Sequence, residues 1–454
     1  MRRVLFSPVD IAPLVFFRIV GVSLITIEIV GQLVTDYGDA YVSSSLNFSY
    51  LFFEWITPWP APGIYVHFLF NIAMGVCVAA GFYYRVTTVL FFLGQASMFF
   101  MDKAIYINHI YLYCLISFLL IFMPCHADLS FDARRDPSIR RTQVPAWCLY
   151  VLRFQLAVVY FYAGVAKLQP DWLAGLPLAQ ALPRKAHYFL IGPVLAAPWT
   201  GLLMSWAGAL FDLLIVPGLL WKRTRPLAFA AAVGFHGWNI LTFGIGTFPW
   251  FSLVMTTLFF EPSSFRKLSP LARRLAPLDG ADANHVVGAS GLPRTESVIE
   301  PAVPAGLVVA GLTLYVLVQV AMPLRPFVYA GTTEWNEAGH NFSWRMMLRA
   351  KAGTIVFVVR DPATGEQWLE HPKHHLTYLQ YRKMIGKPDL LLQFAHYLAD
   401  EYAERGHADV EVRVRAKISL NGRRAALLAD PKVDLAAERR SLRAYPWVLP
   451  LPAG

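Results

Sequence analysis

Charged side chains are scarce in the first 323 residues, where they number 37, about 11% of that stretch, against roughly 25% in soluble proteins. So sparse a coating excludes an ordinary soluble enzyme. Cysteine is scarce too: Cys77, Cys114, Cys125 and Cys148 form no CxxC pair, and none follows residue 148. That leaves neither a zinc site nor an exported disulfide framework. The sequence also lacks a P-loop, a glycine-rich dinucleotide fingerprint and any internal repeat, so nucleotide-dependent chemistry has no motif to rest on. The formal charge of +10 does not call for nucleic acid as a partner.

What the chain has is apolar length. About 20 consecutive apolar residues cross a bilayer, and nine such runs are present: 12–34, 62–83, 86–102, 106–125, 147–167, 193–220, 226–243, 247–261 and 302–322. The eighth is the shortest. The first contains Arg18 and Glu28, which suits a retained helix better than a cleavable signal. Residues 324–454 hold 33 charged residues, about 25% of that segment, the composition of a soluble domain. The organisation expected is an α-helical polytopic membrane domain of about nine transmembrane helices, 1–323, followed by a small α+β extracytoplasmic domain, 324–454.

Lys and Arg collect in cytoplasmic loops. With the N-terminus in the cytoplasm, the inner loops carry fifteen basic residues, among them Arg134, Arg135, Arg140 and Arg141, and the outer loops only Lys103, Arg184 and Lys185. An odd number of spans then puts the C-terminal domain outside the cytoplasm, in the periplasm or a lumen. Within that domain, 354–360 and 411–419 alternate as strands do, Pro388–Arg405 has helical spacing, and 279–300 reads as a loop. His371, His374 and His375 lack carboxylate or cysteine partners at metal-ligand spacing, so a surface loop is expected there and no metal.

Ionisable groups inside a membrane span are costly, and each is a functional suspect. They are Arg18, Glu28, His67, His109, Arg153, Lys167, Asp212 and His236. Helix direction sorts them. Asn108 and His109, Lys167, and His236 with Asn239 fall at one face of the membrane, whereas Arg153 lies about 21 Å from Lys167 along its helix at 1.5 Å per residue. Arg18, Arg153 and Asp212 read as a buried ion-pair network, and His67 as an interhelical hydrogen-bonder. Lys167 has two readings, a snorkelling cation at a span end or a buried functional amine. Gly164, Tyr160, Phe161, Tyr162 and the following Asp171 and Trp172 favour the second.

The run VYFYAGVAKLQPDW, residues 159–172, closely resembles the segment of the vitamin K-dependent gamma-carboxylases that carries their catalytic lysine. NHIYLY at 108–113, VPAW at 144–147, HGWN at 236–239, SWRMM at 343–347 and DPKVD at 430–434 resemble further family segments in colinear order. The chain is similar to a short, bacterial-type homologue with an HTTM-type membrane domain. The resemblance implies an integral-membrane lyase, also an epoxidase, that converts reduced vitamin K, a phylloquinol or menaquinol type, to its 2,3-epoxide. Removal of a glutamate γ-proton and capture of CO2 are coupled to that oxidation by O2. Lys167 is implied as the base, with His109 catalytic beside it. Asn108, Tyr162, His236 and Asn239 are the quinol-binding or supporting residues, and Trp335, Ser343 and Trp344 the glutamate-binding candidates. Desolvation disfavours ammonium, the condition under which a buried lysine serves as a general base.

There are departures. The animal enzymes carry paired lysines where this chain has Ala166 and Lys167, and a histidine where it has Arg349. Their disulfide between membrane and lumenal parts has no counterpart. The partners implied are the lipid bilayer, a lipid-soluble quinol and a Glu-containing peptide or protein. Two other readings compete: a quinol epoxidase without peptide carboxylation, and a noncatalytic quinone or lipid carrier.

Overall fold

The computed structural model describes residues 2–189, 191–262, 264–265 and 303–452; the loop expected at 279–300 lies outside them. All nine apolar runs become helices. They are α1 (Ala12–Leu33), α2 (Gly63–Ala80), α3 (Tyr84–Met101), α4 (Asn108–Ile121), α5 (Trp147–Ala166), α6 (Pro198–Leu220), α7 (Arg225–Phe243), α8 (Phe248–Thr257) and α9 (Ala305–Ala321). Among the described residues, α1, α2, α5, α6 and α9 are long and apolar enough to cross a membrane; the expectation of about nine spans is not confirmed. Length is one reason: α4 has 14 residues and α8 has 10, or about 21 and 15 Å against a core of about 30 Å. Polar content is the other, with Arg85, Thr87, Thr88 and Gln95 in α3 and Arg225, His236 and Asn239 in α7.

Helix α1 passes through a π-helical turn at Phe17–Gly21. The fully buried Arg18 there donates to the carbonyls of Ala79 at 3.1 Å, Cys125 at 2.8 Å, Asp128 at 3.2 Å and Leu129 at 2.5 Å. A guanidinium has five donors in a fixed fork, so four carbonyls satisfy it without a counter-ion. Gly81 makes room: its φ is +66°, and a Cβ there would stand 2.4 Å from Ser130 and 3.0 Å from the Arg18 guanidinium. The start of α1 is further pinned by an antiparallel ribbon of β1 (Pro8–Asp10) and β2 (Gln143–Pro145). Arg153 donates to the Leu258 carbonyl at 2.7 Å. The ion-pair network expected of Arg18, Arg153 and Asp212 is therefore absent among the described residues. His67 does bridge helices, reaching the Gly94 carbonyl at 2.9 Å and Ser97 Oγ at 3.2 Å.

The C-terminal part holds an antiparallel sheet of order β4-β3-β5-β6, made of β3 (Lys351–Arg360), β4 (Gln367–Glu370), β5 (Glu411–Leu420) and β6 (Ala426–Leu427). The long β3 and β5 pair from Lys351 opposite Leu420 to Arg360 opposite Glu411. Period-two alternation buries Val412, Val414, Ala416, Ile418 and Leu420. Helix α11 (Pro388–Glu404) covers that face with Leu391, Phe394 and Leu398, all fully buried. Each such side chain contributes about 1.5–3 kcal/mol. Ahead of α11 lies α10 (Tyr378–Met384), opened by a capping box of Thr377 and Gln380.

Polar contacts join the two parts. Lys103 meets Asp389 at 2.7 Å, Arg423 grips Asp171 at 2.5 and 2.6 Å, and Gln380 donates to Asp102 at 2.7 Å. Trp344 stacks on Tyr111 of α4 with ring centres 5.1 Å apart. These contacts fix the C-terminal domain over the start of α4 and the end of α5.

Candidate functional site

Beneath the C-terminal domain lies a cavity of about 740 Å3 that brings together Asn108, His109, Lys167, His236 and Asn239. A groove of about 940 Å3 near Arg18 and Arg134 is larger, but none of the candidate site residues lines it. The smaller cavity is within the range of small-molecule sites, and a few polar groups converge on mainly apolar walls, the pattern such sites show.

Lys167 sits just past the end of α5, its N–H bonded to the carbonyls of Gly164 at 3.0 Å and Ala163 at 3.2 Å. Helix α5 lies close on α6 because Gly164 has no side chain: a Cβ there would be 2.7 Å from the Leu213 side chain. That approach sets the end of α5 level with Asp212. The ammonium Nζ donates to Asp212 Oδ2 at 2.5 Å and lies 5.2 Å from the Trp172 ring centre. Trp172 is itself fixed by its indole N–H to the Ser205 carbonyl at 2.7 Å. Lys167 and Asp212 are only 6% and 4% exposed, so the lysine is paired and buried rather than snorkelling. Asp212 belongs to Lys167, not to the arginines.

His109 opens α4 and faces Glu28 of α1, Nε2 to Oε1 at 3.3 Å. Glu28 is held in turn by Thr247, whose N–H and hydroxyl donate to Oε2 at 2.9 and 2.8 Å. The His109 ring also stacks on Phe248 at 5.7 Å. Asn108 accepts from the Tyr106 hydroxyl at 2.9 Å and donates to the Arg345 carbonyl at 3.4 Å. It thus ties α4 to the C-terminal domain. His236 meets the Tyr160 hydroxyl through Nε2 at 2.8 Å, while its buried Nδ1 has no partner among the described residues.

The upper end is built by the C-terminal domain: His340, Asn341, Arg345, Met346, Met347, Arg349, Lys383 and Lys387 line it. Arg345 pairs with Glu334. Arg349 takes both carboxylate oxygens of Glu337, at 2.6 and 2.8 Å, and Lys351 reaches the same carboxylate at 2.6 Å. Burial works against the charge of Glu337, but Arg349 and Lys351 outweigh it and hold the carboxyl well below its usual range. Desolvation, and after it Arg349, pull Lys387 down to about 7.

Several sequence candidates stand elsewhere. Tyr162 donates to the Val320 carbonyl of α9 at 2.8 Å, because two residues along a helix turn a side chain about 200° from Tyr160; Tyr160 is the one on the cavity wall. Trp335 donates to the Leu449 carbonyl at 2.8 Å, Ser343 to the His340 carbonyl at 2.6 Å, and Trp344 packs on Tyr111. All three are buried beside the cavity rather than in its wall. Of the histidine cluster, His371 and His374 are exposed, whereas His375 lies between Glu370 at 3.1 Å and Glu401 at 3.4 Å. Among the described residues no group of three or more His, Cys, Asp or Glu is placed to hold a metal ion.

Glu28 behind His109 and Tyr160, Lys383 and Lys387 on the cavity wall are not among the site candidates of the sequence. The first could have been paired on cost alone, since an acid inside the membrane needs a partner; the lysines carry no such mark.

The family model for the HTTM domain matches residues 6–263, and that for the vitamin K-dependent gamma-carboxylase lumenal domain matches residues 305–454, taking in α9. No solved structure matches the chain.

Proposed function

Because the chain belongs to the HTTM-domain family and joins that membrane domain to a vitamin K-dependent gamma-carboxylase lumenal domain, we propose that it oxygenates a reduced naphthoquinone to its 2,3-epoxide and carboxylates glutamate side chains. The observation that carries this reading is the buried Lys167–Asp212 pair on an aromatic-walled cavity that also takes in His109 and His236. The residues fit a quinol. Phe211, Phe235, Phe248 and Trp172 offer faces to a fused ring, and Lys167, His109 and Asn239 on the same walls offer polar groups to its oxygens.

Reduced vitamin K, when bound and oxygenated, supplies a base strong enough to take a carbon-bound proton, which an amine is not. The chain's own residues prepare that event. In this mechanism the Asp212 carboxylate, 2.5 Å from Nζ, accepts the lysine's proton, and the free amine so formed takes the proton of a phenolic hydroxyl. Burial favours such neutralisation of a charge pair. His109, oriented from behind by Glu28, offers a hydrogen bond to an oxygen at the other side of the cavity, and Asn108 lies next to it. The aromatic walls keep out water, which would quench a strong base.

In this reading residues 1–323 form the membrane unit and 324–454 the soluble unit, with the N-terminus cytoplasmic and the soluble unit outside. Support comes from the basic inner loops and from the lumenal description of the matching domain. The test is the purified protein in nanodiscs with a reduced naphthoquinone, O2, labelled bicarbonate and a Glu-rich peptide. Epoxide together with label in the peptide is expected. Epoxide alone would leave a quinol epoxidase, and neither across several naphthoquinols would overturn the reading.

A further inference from the structure

The cavity changes character along its length. Its membrane end is walled by Phe211, Phe235 and Phe248, while its upper end presents Arg345, Arg349, Lys383 and Lys387. The two arginines already have carboxylates, Glu334 and Glu337. The lysines do not: neither ammonium has an ion pair or a hydrogen-bond acceptor among the described residues. Glu337, the acid whose charge Lys387 senses, is occupied by Arg349 and Lys351.

Both lysines come from one short stretch, Lys383 in the last turn of α10 and Lys387 just before α11, on either side of Gly386 at φ +73°. The turn is anchored from outside by Lys351, which donates to the Gly386 carbonyl at 2.6 Å. Two cations held without counter-ions in a confined space are costly, and the cost falls when an anion enters.

We infer that Lys383 and Lys387 receive the side-chain carboxylate of the acceptor glutamate. This rests on the carboxylase reading above and adds the residues that select the acceptor. A carboxylate is bonded directly to the γ-carbon, so gripping it at the upper end turns the γ-CH2 toward Lys167, His109 and the quinol chamber below. Two point charges on flexible stems suit a carboxylate whose approach angle varies with the peptide around it, whereas the planar arginine forks are already committed. Glutamine, neutral and of the same shape, gains nothing from either lysine.

Binding tests this apart from turnover. The full chain in nanodiscs is titrated with a short peptide containing one glutamate and with its glutamine counterpart. The glutamate peptide is expected to bind at least tenfold more tightly. Lys383→Gln and Lys387→Gln each reduce that preference, Lys387→Arg keeps most of it, and naphthoquinone affinity, which also reports a folded membrane domain, is unchanged in all three. Equal binding of the two peptides by the unsubstituted protein overturns the inference without any variant, as does full preference in both Gln variants. Epoxide formation and incorporation of labelled bicarbonate with the glutamate peptide, measured on the same preparations, test the carboxylase reading alone. Their absence beside intact glutamate preference removes that reading and leaves the carboxylate site standing.

Discussion

Lys167 and Asp212, forty-five residues apart in sequence, meet across 2.5 Å at the point where Gly164 lets α5 close on α6. The pair gives the lysine a local proton acceptor in place of water. Replacing Asp212 by Asn keeps the shape and removes that acceptor. Naphthoquinol epoxidation should fall about 100-fold or more, the scale of general-base effects, with the quinol KM nearly unchanged. A role in packing alone would instead lower thermal stability and leave the turnover of the folded fraction intact.

The contact of His109 with Glu28 yields a second expectation. Glu28→Gln leaves the imidazole in place but takes away the carboxylate that orients it, so epoxide formation should drop about tenfold or more, as losses of such orienting partners do. Steady-state rates of the variant and of Thr247→Val, which removes one hydrogen bond to Glu28, should rank in that order of severity.

Much of this site was legible in the sequence. Helix direction and apolar run length place Asn108, His109, Lys167, His236 and Asn239 at one membrane face, and all five line one cavity. Both long strands and α11 also follow from periodicity. What escaped depends on rotation and depth rather than order. Tyr160 and Tyr162 are equivalent in a linear motif but point to opposite sides of α5. Asp212 reads as a partner of the arginines because nothing in the sequence shows that α5 ends partway along α6, level with it. Trp335 and Trp344 are candidates by resemblance, yet Trp335 is buried against the Leu449 carbonyl and Trp344 on Tyr111, and the cavity wall falls to Arg345 and Arg349.

Arg18 supplies a stability test. Arg18→Met leaves four buried carbonyls without their donor, at about 1–3 kcal/mol for each group that finds no other. Thermal unfolding in detergent should begin several degrees lower, and the loop around 125–130 should become accessible to protease first.

In the soluble part, Glu337→Gln strips the shared carboxylate from Arg349 and Lys351. Removing one member of a buried ionic cluster costs about 3–5 kcal/mol. Chemical denaturation followed by tryptophan fluorescence should show a loss of that order, with Glu337→Asp intermediate.

Lys387 gives a pH dependence with a definite sign. Desolvation, then Arg349, Lys383 and Lys103, push it down to about 7, while Glu337 pushes the other way. A bound carboxylate favours the charged form, so near pH 8 the free lysine is mostly neutral and the complex takes up a proton. Acceptor affinity should therefore weaken as pH rises from 7 to 9, and calorimetry in buffers of different ionisation enthalpy should register the uptake. For folding the sign is opposite: the folded value lies below the unfolded one, so this group penalises stability fully below about 7, and the penalty fades toward the ordinary lysine range.

The most direct test of the account is naphthoquinol epoxidation by Lys167→Ala against the unsubstituted protein, with naphthoquinone binding measured on both. The account expects binding retained and epoxide formation abolished. Retained epoxide formation in the variant would contradict it, because Lys167 beside Asp212 is the amine that takes the quinol's proton in this mechanism.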